Sequence, residues 1–209
     1  SLPPDTANTV TFDPTSTYLA VGHYTSPYIT IYKRSGDTFT KLSNPTSLPT
    51  DVVNDVTFDL TSTYLSTAHF GSPYVTIYKR SGDTFTKLSN PDVLPTNTAT
   101  GISFDPKSLC LVVAHSGTIT EITTIYRRIG DTFEKITSFS LYSQKVDFDS
   151  SGMFLAIARR YSPYVEIYKA LLWTKSETIS NIYKKIFKAG YAKESGNFDE
   201  MKKAVILFN

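Results

Sequence analysis

Through the first 170 residues apolar and polar side chains alternate in short runs, and the runs return in one fixed order. The first block reads Val10-Thr-Phe-Asp13, Val56-Thr-Phe-Asp59, Ile102-Ser-Phe-Asp105 and Val146-Asp-Phe-Asp149, at spacings of 46, 46 and 44. The second is Tyr18-Leu-Ala-Val-Gly-His23, Tyr64-Leu-Ser-Thr-Ala-His69, Cys110-Leu-Val-Val-Ala-His115 and Phe154-Leu-Ala-Ile-Ala-Arg159. The third is Tyr28-Ile-Thr-Ile-Tyr32, Tyr74-Val-Thr-Ile-Tyr78, Glu121-Ile-Thr-Thr-Ile-Tyr126 and Tyr164-Val-Glu-Ile-Tyr168. A fourth, Asp37 to Leu42, returns at Asp83 to Leu88 and Asp131 to Ile136 but not after Tyr168. Ser26 to Pro45 and Ser72 to Pro91 differ only at Ile29 versus Val75.

Each block has the composition of a strand: short, rich in Val, Ile, Thr, Tyr and Phe, and bounded by turn residues. Asp13-Pro14-Thr-Ser16 and its copies form the first turn, where Asp and Ser bond nearby backbone and Pro presets φ. Ser35-Gly36-Asp37, Ser81-Gly82-Asp83 and Ile129-Gly130-Asp131 form a hairpin in which Gly supplies positive φ. Four antiparallel strands in each repeat of about 46 residues predict an all-β chain of β-propeller blades. The blades fall at about 8–45, 54–91, 100–138 and 144–170, giving repeats over 1–170 and a tail over 171–209.

The phrase Phe12-Asp-Pro-Thr-Ser-Thr-Tyr-Leu-Ala-Val21 resembles the turn and strand of WD40-like and lactonase-like β-propellers, over residues 8 to about 170. The chain departs from true WD40 repeats in having Ile-Tyr-Lys where the Trp-Asp pair belongs, so WD40 partners do not carry over. The repeated Ser-Pro-Tyr-Ile-Thr-Ile-Tyr-Lys-Arg-Ser-Gly-Asp-Thr-Phe-Thr-Lys-Leu is similar to propeller repeats of bacteriophage tail-associated proteins. That likeness implies a virion component at an extracellular surface, touching other virion subunits or a host glycan. Three complete units and three strands of a fourth must still hide their end faces. A four-bladed ring, two chains closing one ring, or a part of a longer chain would do so. The near-identity of blades 1 and 2 favours self-association.

In the tail the period changes. Ile179, Ile182, Tyr183, Ile186 and Phe187 lie on one helical face, with Ser176 at the start and Gly190 at the end. A helix is expected near 176–189. Lys203 to Phe208 suits a strand completing the fourth blade, or a second helix.

Composition narrows the function. The 21 Lys and Arg against 19 Asp and Glu lack the basic excess of a nucleic-acid binder. No apolar run nears the roughly 20 residues of a membrane span. The opening Ser1-Leu-Pro-Pro4 has neither the charged nor the apolar region of a signal peptide. The single Cys110 shares its position with Tyr18, Tyr64 and Phe154, which makes it a core residue.

All three histidines, His23, His69 and His115, occupy one repeat position, and Arg159 is the fourth. Tyr24, Phe70 and Arg160 follow them, and Tyr28, Tyr74 and Tyr164 close the same loops. As a ring at the channel mouth these residues could stack on sugar or hold an anion. Alternatively the imidazoles cap strand ends, and His69→Ala tests the choice: the binding reading leaves the fold intact. The repeated Asp residues follow the turns, no acid breaks the repeat symmetry, and no nucleophile elbow or phosphate loop occurs. No catalytic residue, metal or cofactor is expected. The preferred function is a non-enzymatic binding or structural module. The alternative is a lactonase- or hydrolase-type propeller enzyme with a metal at its channel.

Overall fold

The computed structural model describes residues 2–116, 123–139, 143–173 and 203–208. Every repeat block is a strand. Blade 1 is built from β1 (Ala7–Phe12), β2 (Tyr18–His23), β3 (Ile29–Ser35) and β4 (Thr38–Lys41). Blade 2 has β5 (Val53–Phe58), β6 (Tyr64–His69), β7 (Val75–Ser81) and β8 (Thr84–Lys87). Blade 3 has β9 (Ala99–Phe104), β10 (Cys110–His115), β11 (Thr123–Ile129) and β12 (Thr132–Phe139). Blade 4 has β13 (Ser143–Phe148), β14 (Phe154–Arg159), β15 (Val165–Trp173) and β16 (Lys203–Phe208). Each blade is a separate sheet with its strands in that order, and this is the all-β propeller architecture that the repeats predict.

The outer strand of blade 4 differs. It runs parallel to β15, from Tyr168 opposite Lys203 to Trp173 opposite Phe208, whereas the first three blades are antiparallel throughout. Strand β15 also continues past residue 170. The helix expected at 176–189 lies outside the described residues, and Lys203 to Phe208 forms a strand rather than a second helix.

The turns behave as their residues dictate. Gly36, Gly82 and Gly130 carry φ of 58, 58 and 59° in the hairpins. Ser16, Ser62 and Ser108 also take the left-handed conformation, at 56, 54 and 57°, and Gly152 replaces them in blade 4 at 69°. Tyr28 and Tyr74 are left-handed too, at 62 and 67°. The loops that place them therefore hold a conformation disfavoured for a bulky residue.

The core lies between blades. Tyr18, Ala20, Ile29 and Ile31 of blade 1 pack on Val56, Phe58, Leu65, Tyr78 and Phe85 of blade 2. A second cluster joins blades 2 and 3, and a third joins blades 3 and 4. Cys110 is in the third, as its repeat position requires. Burial there pushes its thiol up to about 12. Among the described residues no buried cluster joins blade 4 to blade 1.

Polar contacts repeat with the blades. Tyr18 donates its hydroxyl to Asp83 Oδ1 at 2.7 Å, Lys33 reaches Asp83 Oδ2 at 2.8 Å, and the Arg80 guanidinium lies 4.8 Å from the Tyr18 ring centre. One repeat later Tyr64 and Lys79 meet Asp131 at 2.7 and 2.8 Å, beneath Arg128 at 4.7 Å. The innermost strands are tied by Asn8 Nδ2 to Val53 O and Asn54 Nδ2 to Ala99 O, at 3.1 and 2.8 Å. Blades 2 and 4 also meet through Lys145 Nζ and Asp55 Oδ2, 3.1 Å apart. Gly101 lets β9 of blade 3 approach β13 of blade 4: a Cβ there would stand 2.8 Å from the Lys145 Cα.

Candidate functional site

The repeated carboxylates are the structural hubs of their turns. Asp13 Oδ1 accepts the backbone N–H groups of Thr17 and Tyr18 at 2.7 and 2.6 Å. Its Oδ2 accepts the hydroxyls of Thr15 at 2.5 Å and, from blade 2, Ser62 at 2.6 Å. Burial works to raise the Asp13 pKa, but the Ser62, Thr15, Tyr18 and Thr17 donors together hold it below the usual carboxylate value. Asp59 accepts from Thr63, Tyr64 and Thr61, Asp105 from Leu109 and Cys110, and Asp149 from Ser151 and Phe154.

The histidines are placed otherwise than at an open channel mouth. His23, His69 and His115 are fully buried at the ends of β2, β6 and β10. Each Nε2 pairs with a threonine hydroxyl on the next strand of its own blade: Thr30 at 3.1 Å, Thr76 at 3.0 Å and Thr124 at 2.9 Å. The Nδ1 atoms of His69 and His115 approach Thr50 and Thr96 at 3.4 and 3.5 Å. Pro4 occupies the equivalent position in blade 1. Burial is the main influence on His69 and lowers its pKa to about 4, against hydrogen bonds at the Gly71 and Val75 backbone. His23 is shifted down for the same reason. His23 and His69 are therefore neutral near pH 7, and all three imidazoles are shielded from solvent.

Blade 4 replaces this pair by an ionic one, which sequence inspection missed. Arg159 stands where the histidines stand, and Glu166 stands where Thr30, Thr76 and Thr124 stand. Arg159 Nη1 meets Glu166 Oε1 at 2.6 Å, and Tyr168 donates its hydroxyl to Oε2 of the same carboxylate. Glu166 is therefore an acid that does break the repeat symmetry. The signal was available as a paired departure, two residues changing together in one repeat. Burial raises the Tyr168 pKa first, and its bond to Glu166 adds to the rise.

The remaining loop residues are the accessible ones. Tyr24, Phe70 and Tyr164 are 51, 60 and 68% exposed. Arg160 is exposed beside the Tyr161 ring, 5.9 Å from its centre. Tyr28 and Tyr74 are half-buried and pack against the inter-blade clusters, which fixes the loops. The backbone holds the same loops from below: Tyr24 N–H donates to Thr6 O and Phe70 N–H to Val52 O. Thus the anticipated constellation divides. Its imidazoles and Arg159 lie within the blades, while Tyr24, Phe70 and Arg160 project at one repeat position from blades 1, 2 and 4, and Tyr164 projects from the same blade 4 loop as Arg160.

No protein-family model matches the sequence, and no curated protein does. Solved structures do. A Bacteroides uniformis protein provisionally named a 6-phosphogluconolactonase superposes with a TM-score of 0.65 at 13% identity, covering 79% of this chain and 50% of that one. A Lactobacillus plantarum protein superposes with a TM-score of 0.62 at 17% identity, over 79% and 51%. Kuenenia stuttgartiensis hydrazine synthase gives 0.60 at 12% identity, over 78% and 46%. The likeness is one of fold, and this chain spans about half the length of each neighbour.

Among the described residues no group of three or more His, Cys, Asp or Glu is placed to hold a metal ion. None of their helices is long and apolar enough to cross a membrane. What the accessible loop surface offers chemically is flat aromatic faces, with a guanidinium alongside. Such a surface can stack on the apolar faces of a sugar and steer an anion.

Proposed function

We propose that this protein is a non-enzymatic binding module whose β2–β3-type loops present Tyr24, Phe70 and Tyr164 to a glycan. The observation that carries the reading is the contrast within each repeat. The imidazoles and the Arg159–Glu166 pair are engaged in joining strands inside their own blades, and the aromatic side chains next to them face solvent. The resemblance of the repeats to those of bacteriophage tail-associated proteins supports a setting on a virion or another extracellular surface. There the same loops would meet a neighbouring subunit or a host-surface glycan.

A glycan screen followed by calorimetry tests the proposal. Binding that weakens about tenfold or more on Tyr24→Ala or Phe70→Ala is expected, since each removes one stacking surface. Absence of binding to any glycan, or affinity unchanged in both variants, would overturn it. The second reading, a lactonase- or hydrolase-type enzyme, draws on the fold of the Bacteroides uniformis protein. It requires a metal site at the channel, and stoichiometric calcium or zinc by elemental analysis would favour it.

A further inference from the structure

We propose that a second copy of this chain docks head to tail, the free face of blade 4 in each copy covering the free face of blade 1 in the other.

The interface exists three times inside the chain, so its two halves are known. Phe12 corresponds to Phe58, Phe104 and Phe148, each buried against the preceding blade. Phe12 itself is 52% exposed where Phe58 is 8%. It sits beside Phe39, with ring centres 6.0 Å apart, as Phe58 sits beside Phe85 at 6.3 Å. With Val10 and Leu19 this makes a preformed apolar face. At the other end Phe154 and Val165 occupy the positions of Tyr18 and Ile29, which pack onto the next blade. In blade 4 they are exposed, and Ala156 and Ala158 beside them are exposed as well. Patches of this kind mark association surfaces.

The polar half-contacts identify the occupant as the same chain. Lys33 and Lys79 each bind an aspartate of the following blade. Lys169 is the exposed counterpart in blade 4, and Asp37 is the counterpart of those aspartates in blade 1. Asp37 has no ion-pair partner among the described residues. Arg34 is likewise placed to cover Phe154 as Arg80 covers Tyr18. Gln144 repeats Asn8 and Asn54, whose amides reach the next blade's first strand, so it would reach the Ala7 carbonyl.

Two copies supply eight blades, a number that closes a propeller. Docking of this kind forms two identical junctions about a twofold axis and leaves neither face open.

Light scattering after size exclusion on the full chain tests this, at concentrations from about 1 to 100 μM. A particle of twice the chain mass is expected. Asp37→Lys or Lys169→Asp should weaken association about tenfold or more, because each reversal acts at both junctions. Asp37→Lys combined with Lys169→Asp should restore the dimer, which a folding defect could not imitate. A monomer throughout would overturn the proposal. So would a dimer indifferent to both single reversals, or an open-ended polymer.

Discussion

At the residue scale the histidines carry the most direct lesson. Three imidazoles at one repeat position looked like a ligand ring, yet each is buried and joined to a threonine across its own sheet. His69→Ala is therefore expected to cost about 1–3 kcal/mol, from a lost hydrogen bond and an unpaired Thr76 hydroxyl. Urea unfolding checks this, and an unchanged midpoint would return His69 to the binding reading. Acid provides a second check. The folded His69 pKa of about 4 lies below its ordinary 6.5, so the unfolded chain binds protons first between those values. The contribution is complete above pH 6.5 and is lost as pH falls from there toward 4. The depressed Asp13 pKa has the same sign at lower pH, its stability present above the ordinary 3.8 and lost below it. Unfolding measured from pH 7 to 3 should show stability falling throughout, with His69→Ala flattening the upper part.

The Arg159–Glu166 pair makes a sharper residue-level prediction. Glu166→Ala leaves a guanidinium largely buried beside an emptied partner position and should cost about 3–5 kcal/mol. Arg159→His together with Glu166→Thr restores the arrangement of the other blades and should recover most of that loss. Thermal melts of the single and double variants decide it. A double variant no more stable than Glu166→Ala would show that the surroundings of blade 4 have adapted to the ion pair.

At the element scale the strands and turns were readable because their information is local. Val-Thr-Phe-Asp and Tyr-Leu-Ala-Val carry both the two-residue period and the turn that ends it, and each became a strand of the expected blade. Two features were not readable, since each depends on distant residues. Direction is one: Lys203 to Phe208 is apolar enough for a strand, but nothing within it specifies a parallel neighbour. The other is the Tyr18–Asp83 contact, which joins positions 65 residues apart. The candidate site was half legible for the same reason. Sequence placed Tyr24 beside His23 and Phe70 beside His69 in equivalent loops, but whether a side chain faces water depends on the adjoining strands. Gly101→Ala tests an element-scale contact directly. The added methyl would press on the Lys145 and Gln144 backbone and should cost about 1–3 kcal/mol by overpacking, read as a lowered urea midpoint.

At the scale of the whole molecule stability belongs to the junctions between blades. Each sheet has apolar residues on both faces, so a blade is complete only when covered. Phe58→Ala empties space between blades 1 and 2, beside Phe85, and is expected to cost roughly 3–5 kcal/mol by denaturant unfolding. A loss below 1 kcal/mol would mean that the two blades adjust to each other more freely than close packing allows.

The near-identity of Ser26–Pro45 and Ser72–Pro91 has a consequence for assembly during synthesis. A newly made blade 3 meets two almost equivalent landing surfaces, and chains of repeats are prone to such mistaken pairings. The departures from the repeat act as addresses. Cys110 in place of tyrosine sits in the cluster between blades 3 and 4, and Gly101 is fitted to the Lys145 and Gln144 backbone of blade 4. Sequence drift in the later blades thus records their order, and making all four alike would erase it.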